Sequence, residues 1–255
     1  MTYCVAISVA AGIVFCSDSR TNAGVDQIST YSKMFRYDLE PQRQFVVLTA
    51  GNLATSQSTM AQLKKDLSQQ AAVSLNTVAS LGEAADYLGE VSRNQQEKHS
   101  VAGSSFPASY LIGGQIAGAT PCIALVYPEG NHITSGKDTP FLQIGESKYG
   151  KPILDRILEL DTPLETAARC AMVSMDSTMR SNLTVGPPIE ILLYRTDSFQ
   201  LQPYYRFEEG CDYLRNLKRY WDQLLTEAFH SLPPLDSSIQ PSDLSTGNGV
   251  QTGNA

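Results

Sequence analysis

The chain has 255 residues, 42% of them apolar and 18% charged, enough for one large domain around a single core. A formal charge of −7 offers no phosphate-neutralising surface, which argues against nucleic acid as a partner. The apolar runs fall short of the roughly 20 residues that cross a bilayer, and no basic, then apolar, leader is expected ahead of the fold, so the expected compartment is the cytosol with no membrane partner. The five cysteines, Cys4, Cys16, Cys122, Cys170 and Cys211, show no CxxC spacing and read as free thiols rather than a zinc site or a disulfide framework.

In chain order, β-branched runs at 3–10 and 13–17, broken at Ala11-Gly12, predict a hairpin. A second strand pair is expected at 31–37 and 44–50 around Glu40-Pro41-Gln42. It ends in Thr49-Ala50-Gly51-Asn52, where glycine frees the backbone and Asn52 can cap a following helix. Two helices follow, over about 53–70 and through Leu81, Ala84, Ala85, Leu88 and Val91, whose spacing marks one buried face. Beyond a break at Gly103-Ser104-Ser105, strands are expected at 108–116, 122–127, 131–134 and 141–145. Thr162-Pro163-Leu164-Glu165 predicts a helix start with a capping box, and Leu164, Ala167, Ala168, Ala171, Met172 and Met175 form its apolar face. Strands at 189–194 and 199–205 precede a last amphipathic helix through Leu214, Leu217, Trp221, Leu224, Leu225 and Ala228, which stops at Leu232-Pro233-Pro234. The remainder, 236–255, is rich in Ser, Gly, Asn, Asp and Pro and is expected to be a disordered tail. Residues 1–235 therefore read as a single α+β domain, two packed sheets with helices on both outer faces in a four-layer αββα sandwich.

Several common chemistries lack their motifs. There is no GxSxG, no GK[ST] and no HExxH, and His99, His132 and His230 stand far apart in sequence. Thr2 offers another route. A threonine hydroxyl is a weak nucleophile unless a base lies beside it, and a chain terminus supplies one in its own α-amine, of pKa about 7.7–8.0. Removal of Met1 would give Thr2 both roles. Asp18, at the end of the second strand, returns to the start of the first, and Lys33 falls in the next strand. The lysine can lower the proton affinity of the hydroxyl while the aspartate holds it charged and in place. Gly51 can offer its N–H to an oxyanion.

With these residues in view, the sequence resembles a proteasome-type N-terminal nucleophile hydrolase β-subunit. Thr2, Ser17-Asp18-Ser19-Arg20 with Thr21, Ser32-Lys33 and Thr49-Ala50-Gly51 resemble that family's nucleophile, aspartate turn, catalytic lysine and oxyanion glycine. The blocks GVDQISTYSKMF, IGESKYGKPILDR and MVSMDSTMRSN, and the absence of a propeptide, are most similar to the bacterial Anbu, or ancestral beta subunit, group. The likeness spans about 2–206. It implies a cytoplasmic threonine protease or amidase that needs no metal or organic cofactor. It also implies self-assembly into a ring or an open helical stack, with peptide or small amide as substrate. Any ATPase unfoldase must be a separate chain.

Three departures from the family pattern stand out. The spacing to Lys33 is about one residue short, which a bulge can absorb. Gly145-Glu146-Ser147 stands where a Gly-Ser-Gly turn is usual, placing the carboxylate of Glu146 at the serine's position. Asp176 matches the helix-end aspartate, but Met179 replaces the serine that follows it, leaving Ser177 or Ser181 as substitutes. Two other readings are compatible with the same fold: an assembly or regulatory protein with little hydrolytic activity, and a non-peptide amidase.

Overall fold

The computed structural model describes residues 1–22, 28–39, 42–99 and 106–234. The expected turn at 40–41, the break at 103–105 and the tail at 236–255 lie outside them. Two five-stranded sheets and five helices make up most of the described chain.

In the first sheet, β1 (Tyr3–Val9) lies between β2 (Gly12–Asp18) and β10 (Phe141–Gly145), and β11 (Ile189–Arg195) with β12 (Tyr204–Phe207) extends the other side of β2. The second sheet runs in chain order as β5 (Met34–Leu39), β6 (Arg43–Gly51), β7 (Ala108–Ile116), β8 (Cys122–Val126) and β9 (His132–Thr134), all neighbours antiparallel. A small ribbon of β3 (Arg20–Asn22) and β4 (Ile28–Thr30) stands apart. The helices are α1 (Leu53–Ser68), α2 (Leu81–His99), α3 (Lys151–Ile157), α4 (Leu164–Ser181) and α5 (Asp212–His230).

Strand alternation explains why β1 is apolar at nearly every position. Tyr3, Val5, Ile7 and Val9 point into a cluster that includes Leu154 of α3 and Ala167, Ala171 and Met175 of α4. Cys4 and Ala6 point the other way, into a cluster shared with Val46, Leu48 and Leu111 of the second sheet. A strand buried on both faces must be apolar on both. The far face of the second sheet contributes Phe45, Val47 and Ile112 to a third cluster with Met60 and Leu63 of α1 and Ala84 and Leu88 of α2.

The contacts divide the chain into two units, 1–218 and 219–255. The first holds every described strand and α1–α4, and the boundary falls within α5, which has no buried residue. Among the described residues no helix is long and apolar enough to cross a membrane, and no group of three or more His, Cys, Asp or Glu is placed to hold a metal ion.

Three local expectations are corrected. The strand expected at 31–37 begins at Met34, so Lys33 stands just before β5 rather than within a strand. The capping box at 162–165 does not form: Pro163 is the N-cap of α4, and the Thr162 hydroxyl accepts instead from Glu159 N–H at 2.8 Å, while the Glu165 carboxylate pairs with Arg195. The strand expected at 199–205 begins at Tyr204, because Asp197 and Phe199 adopt positive φ angles of 59° and 46° that no extended strand contains.

Candidate active site

The first strand's entry point is fixed by the hairpin. At the end of β2 the Asp18 side chain is fully buried, and its Oδ1 accepts from the Tyr3 backbone N–H at 3.1 Å, holding the start of β1. Oδ2 accepts from Gly186 N–H at 3.3 Å. Lys33 Nζ donates to Asp18 Oδ1 at 2.6 Å and to the Arg20 carbonyl at 2.7 Å, and the Lys33 carbonyl accepts from Thr49 N–H at 3.1 Å, which ties this residue to β6. Burial pushes the Asp18 carboxyl above its ordinary range, while Lys33 and the two backbone N–H groups pull in the opposite direction.

Thr2 is held from the other side by β10. The Thr2 carbonyl accepts from Glu146 N–H at 2.7 Å, and Gly145 has φ +81° with its Cα so close that an added Cβ would lie 2.0 Å from that carbonyl oxygen. Gly51 at the end of β6 has φ +108°, and a Cβ there would meet the Pro107 carbonyl oxygen at 2.5 Å. Both positions require glycine. Immediately after Gly51, Asn52 caps α1 as the sequence predicts, its Oδ1 accepting from Thr55 N–H at 3.0 Å.

A cavity of about 280 Å³ opens at this junction, and its walls include Met1, Thr2, Lys33, Gly51, Gly145 and Arg20. Asp18 lies behind Lys33. Glu146 is buried next to the lining residue Gly145, and its carboxylate accepts from Asn182 Nδ2 at 3.0 Å, connecting the residue after β10 to the end of α4. Asp176 is buried and Ser177 half-buried on α4, Ser181 is exposed, and none of the three lines the cavity. His132 is remote in role, pairing through Nδ1 with Asp86 at 2.9 Å.

Two groups escape a reading of the sequence alone. Tyr3, deep under α4, shares its hydroxyl with Ser174 Oγ at 2.6 Å and accepts from Gln143 Nε2 at 2.7 Å, and burial raises its pKa. Glu190 is a buried carboxylate at the second position of β11, between Ile189 and Ile191. A charge inside an otherwise apolar strand was the available signal for it.

Two antiparallel sheets that bring a threonine next to a buried lysine–aspartate pair describe a proteasome-type, N-terminal-nucleophile-like subunit. Solved structures specify the group further. The chain is 45% identical to Anbu (ancestral beta-subunit) from Yersinia bercovieri, with TM-score 0.88, over 92% of this chain and 99% of that one. It is 46% identical to the chain in the helical assembly of the Anbu complex from Pseudomonas aeruginosa, with TM-score 0.88, over 93% and 100% of the two chains. Against an Anbu (Gly-1) mutant from Hyphomicrobium sp. strain MC1 the identity is 40% and the TM-score 0.88, over 92% and 100%. The chain belongs to the Anbu family. No family model and no curated protein matches it.

Proposed function

We propose that this chain is a threonine-type hydrolase of peptides or small amides whose nucleophile is Thr2, exposed by removal of Met1. The observation that carries the reading is the buried Asp18–Lys33 pair at 2.6 Å, with Lys33 and Thr2 on the same cavity. A buried ion pair contributes little to stability against apolar residues of the same volume, so its presence beside a hydroxyl nucleophile calls for a chemical role.

Thr2 Oγ attacks the scissile carbonyl and its proton passes to the neutral α-amine, directly or through water. Lys33 stabilises the developing alkoxide, Asp18 keeps Lys33 oriented, and Gly51 N–H donates to the oxyanion. The protonated amine returns its proton to the leaving nitrogen, the C–N bond breaks, and water then hydrolyses the acyl ester to restore Thr2. Glu146, Asp176 and Ser177 support the N-terminal segment from β10 and α4. With Met1 attached, the amine is an amide nitrogen and the base is missing.

The three apolar clusters support the four-layer αββα arrangement within 1–218. Self-assembly in the cytosol is part of the same reading. A related chain forms a helical assembly, and α5 presents Tyr220, Leu224, Leu225 and Phe229 without burying any residue. An unfoldase, where one is used, is a separate chain.

The test is turnover of fluorogenic peptide amides and of small acyl amides by trimmed protein beside Thr2→Ala. Hydrolysis lost in Thr2→Ala supports the reading, and preference between the two substrate sets separates peptidase from amidase. Trimmed, assembled protein that hydrolyses neither set would leave the assembly role in its place.

A further inference from the structure

Asp18 and Lys33 are each flanked by a serine, Ser19 after the one and Ser32 before the other. The two serines come from separate segments, yet both hydroxyls donate to the same carboxylate oxygen: Ser32 Oγ to Glu190 Oε2 at 2.7 Å, and Ser19 Oγ to Glu190 Oε2 at 3.2 Å. The second oxygen, Oε1, accepts from the Tyr204 hydroxyl at 2.5 Å, and the Arg36 guanidinium lies 4.1 Å from the centre of that tyrosine ring. Glu190 is 3% exposed and stands opposite Ser17 in the register of β2 with β11.

We infer that Glu190 is a positioning residue, a buried staple that fixes the Ser32-Lys33 segment against the Ser19 side of the Asp18 turn and so sets the Lys33 amine beside Thr2. The inference rests on the proposed reading of Thr2 and Lys33 as one site. Its physical basis is geometric. Lys33 precedes β5 and belongs to no strand: its carbonyl is held by the Thr49 N–H, and the nearest backbone tie before it is Tyr31 N–H, which donates to the Ser19 carbonyl at 2.9 Å. Between those two ties the Ser32–Glu190 bond at 2.7 Å adds the side-chain restraint next to Lys33, and hydrogen bonds to a carboxylate are stronger than neutral ones. A buried carboxylate that accepts three hydroxyls is far more than packing requires in a strand whose other buried residues are Ile189, Ile191, Leu192, Leu193 and Tyr194. Glutamine at this position can still accept both serine hydroxyls on one oxygen while its amide donates to Tyr204, whereas leucine can do neither.

The experiment measures reductive methylation of Lys33 by formaldehyde and borane, site by site in the mass spectrum, relative to exposed Lys64 and Lys137. The variants are Glu190→Gln, Glu190→Leu and Ser32→Ala, with Tyr110→Phe as a control for loss of a buried hydrogen bond elsewhere. Folded Glu190→Leu and Ser32→Ala are expected to raise the relative rate at Lys33 by about tenfold, and Glu190→Gln by under about threefold, since local opening follows the loss of restraining bonds. Tyr110→Phe is expected to leave it at the wild-type value. If Glu190→Leu does not fold, Ser32→Ala and the Ser19→Ala/Ser32→Ala pair decide the matter. A wild-type rate at Lys33 in those folded variants overturns the inference. The amine readout does not depend on turnover. Failure of wild-type protein to react at Thr2 with an α′,β′-epoxyketone would sink the nucleophile reading while leaving the Lys33 result to judge Glu190.

Discussion

The two sides of the core handle polarity differently. Around α1 and α2 the buried polar groups are neutral: Tyr110 OH donates to Thr59 Oγ1 at 3.0 Å and accepts from Ser92 Oγ at 3.2 Å, and Thr59 Oγ1 donates to the Thr55 carbonyl at 2.9 Å. Among the described residues the buried charged side chains are Asp18, Lys33, Glu146, Asp176 and Glu190, and they lie on β2, before β5, after β10, on α4 and on β11. None is on α1, α2 or β6–β9. Neutral hydroxyls satisfy a structural core at little expense, whereas buried charges carry a large desolvation penalty. Under the proposed reading, their absence from α1, α2 and β6–β9 separates the chemistry from the neutral side of the core.

The largest effect expected from breaking this contrast is on activity. Thr2→Ala should abolish hydrolysis, leaving at most about 10⁻³ of the wild-type rate, with an unchanged urea midpoint, because the hydroxyl acts in the reaction and not in the core. Lys33→Met should reduce turnover comparably and also lower stability by about 3 kcal/mol at neutral pH, since it leaves a buried carboxylate without its partner. The sign of its pH dependence follows from Asp18. Burial already raises that group's folded pKa, and loss of Lys33 raises it further. The charged form is therefore the destabilised one, so the deficit is fullest above the folded pKa and shrinks as pH falls through it. Urea midpoints measured from neutral to acid pH should show the variant approaching wild type, and a deficit that grows toward acid would contradict the account.

Smaller effects sharpen the comparison. Gly145→Ala must move the Thr2 carbonyl or twist a backbone with φ +81°, and should lower stability by about 1–3 kcal/mol and reaction at Thr2 more than its stability alone explains. Tyr110→Phe, on the neutral side, should lower stability by about 1 kcal/mol and leave kcat/KM unchanged. Equal losses of activity from these two variants would erase the distinction between the ends.

The elements that were legible in sequence share a cause. α2 and α4 carry apolar patterns whose period states which face is buried, while β1, β2 and β6 are near-continuous apolar runs, as strands buried on both faces must be. α3 was not foreseen because seven residues with a proline in the first turn give no period to read. β3 and β4 span three residues each, too short for alternation. At 162–165 the capping box lost to competing partners, the Glu159 N–H three residues upstream of Thr162 and the distant Arg195 for Glu165. In the site, Asp18 could be placed because the hairpin limits where it goes, and Lys33 only roughly, since it stands just before the strand expected to hold it. Glu190 could not, since its role depends on the pairing of β11 with β2 and on two serines drawn together by that pairing.

Intact-mass measurement before and after incubation with an α′,β′-epoxyketone peptide tests the central claim most directly, because that probe needs a free threonine amine and its hydroxyl together. Loss of Met1 and one adduct are expected, the adduct absent in Thr2→Ala and formed far more slowly in Lys33→Met. A chain that keeps Met1, or a trimmed chain that reacts equally well without Lys33, would contradict the claim.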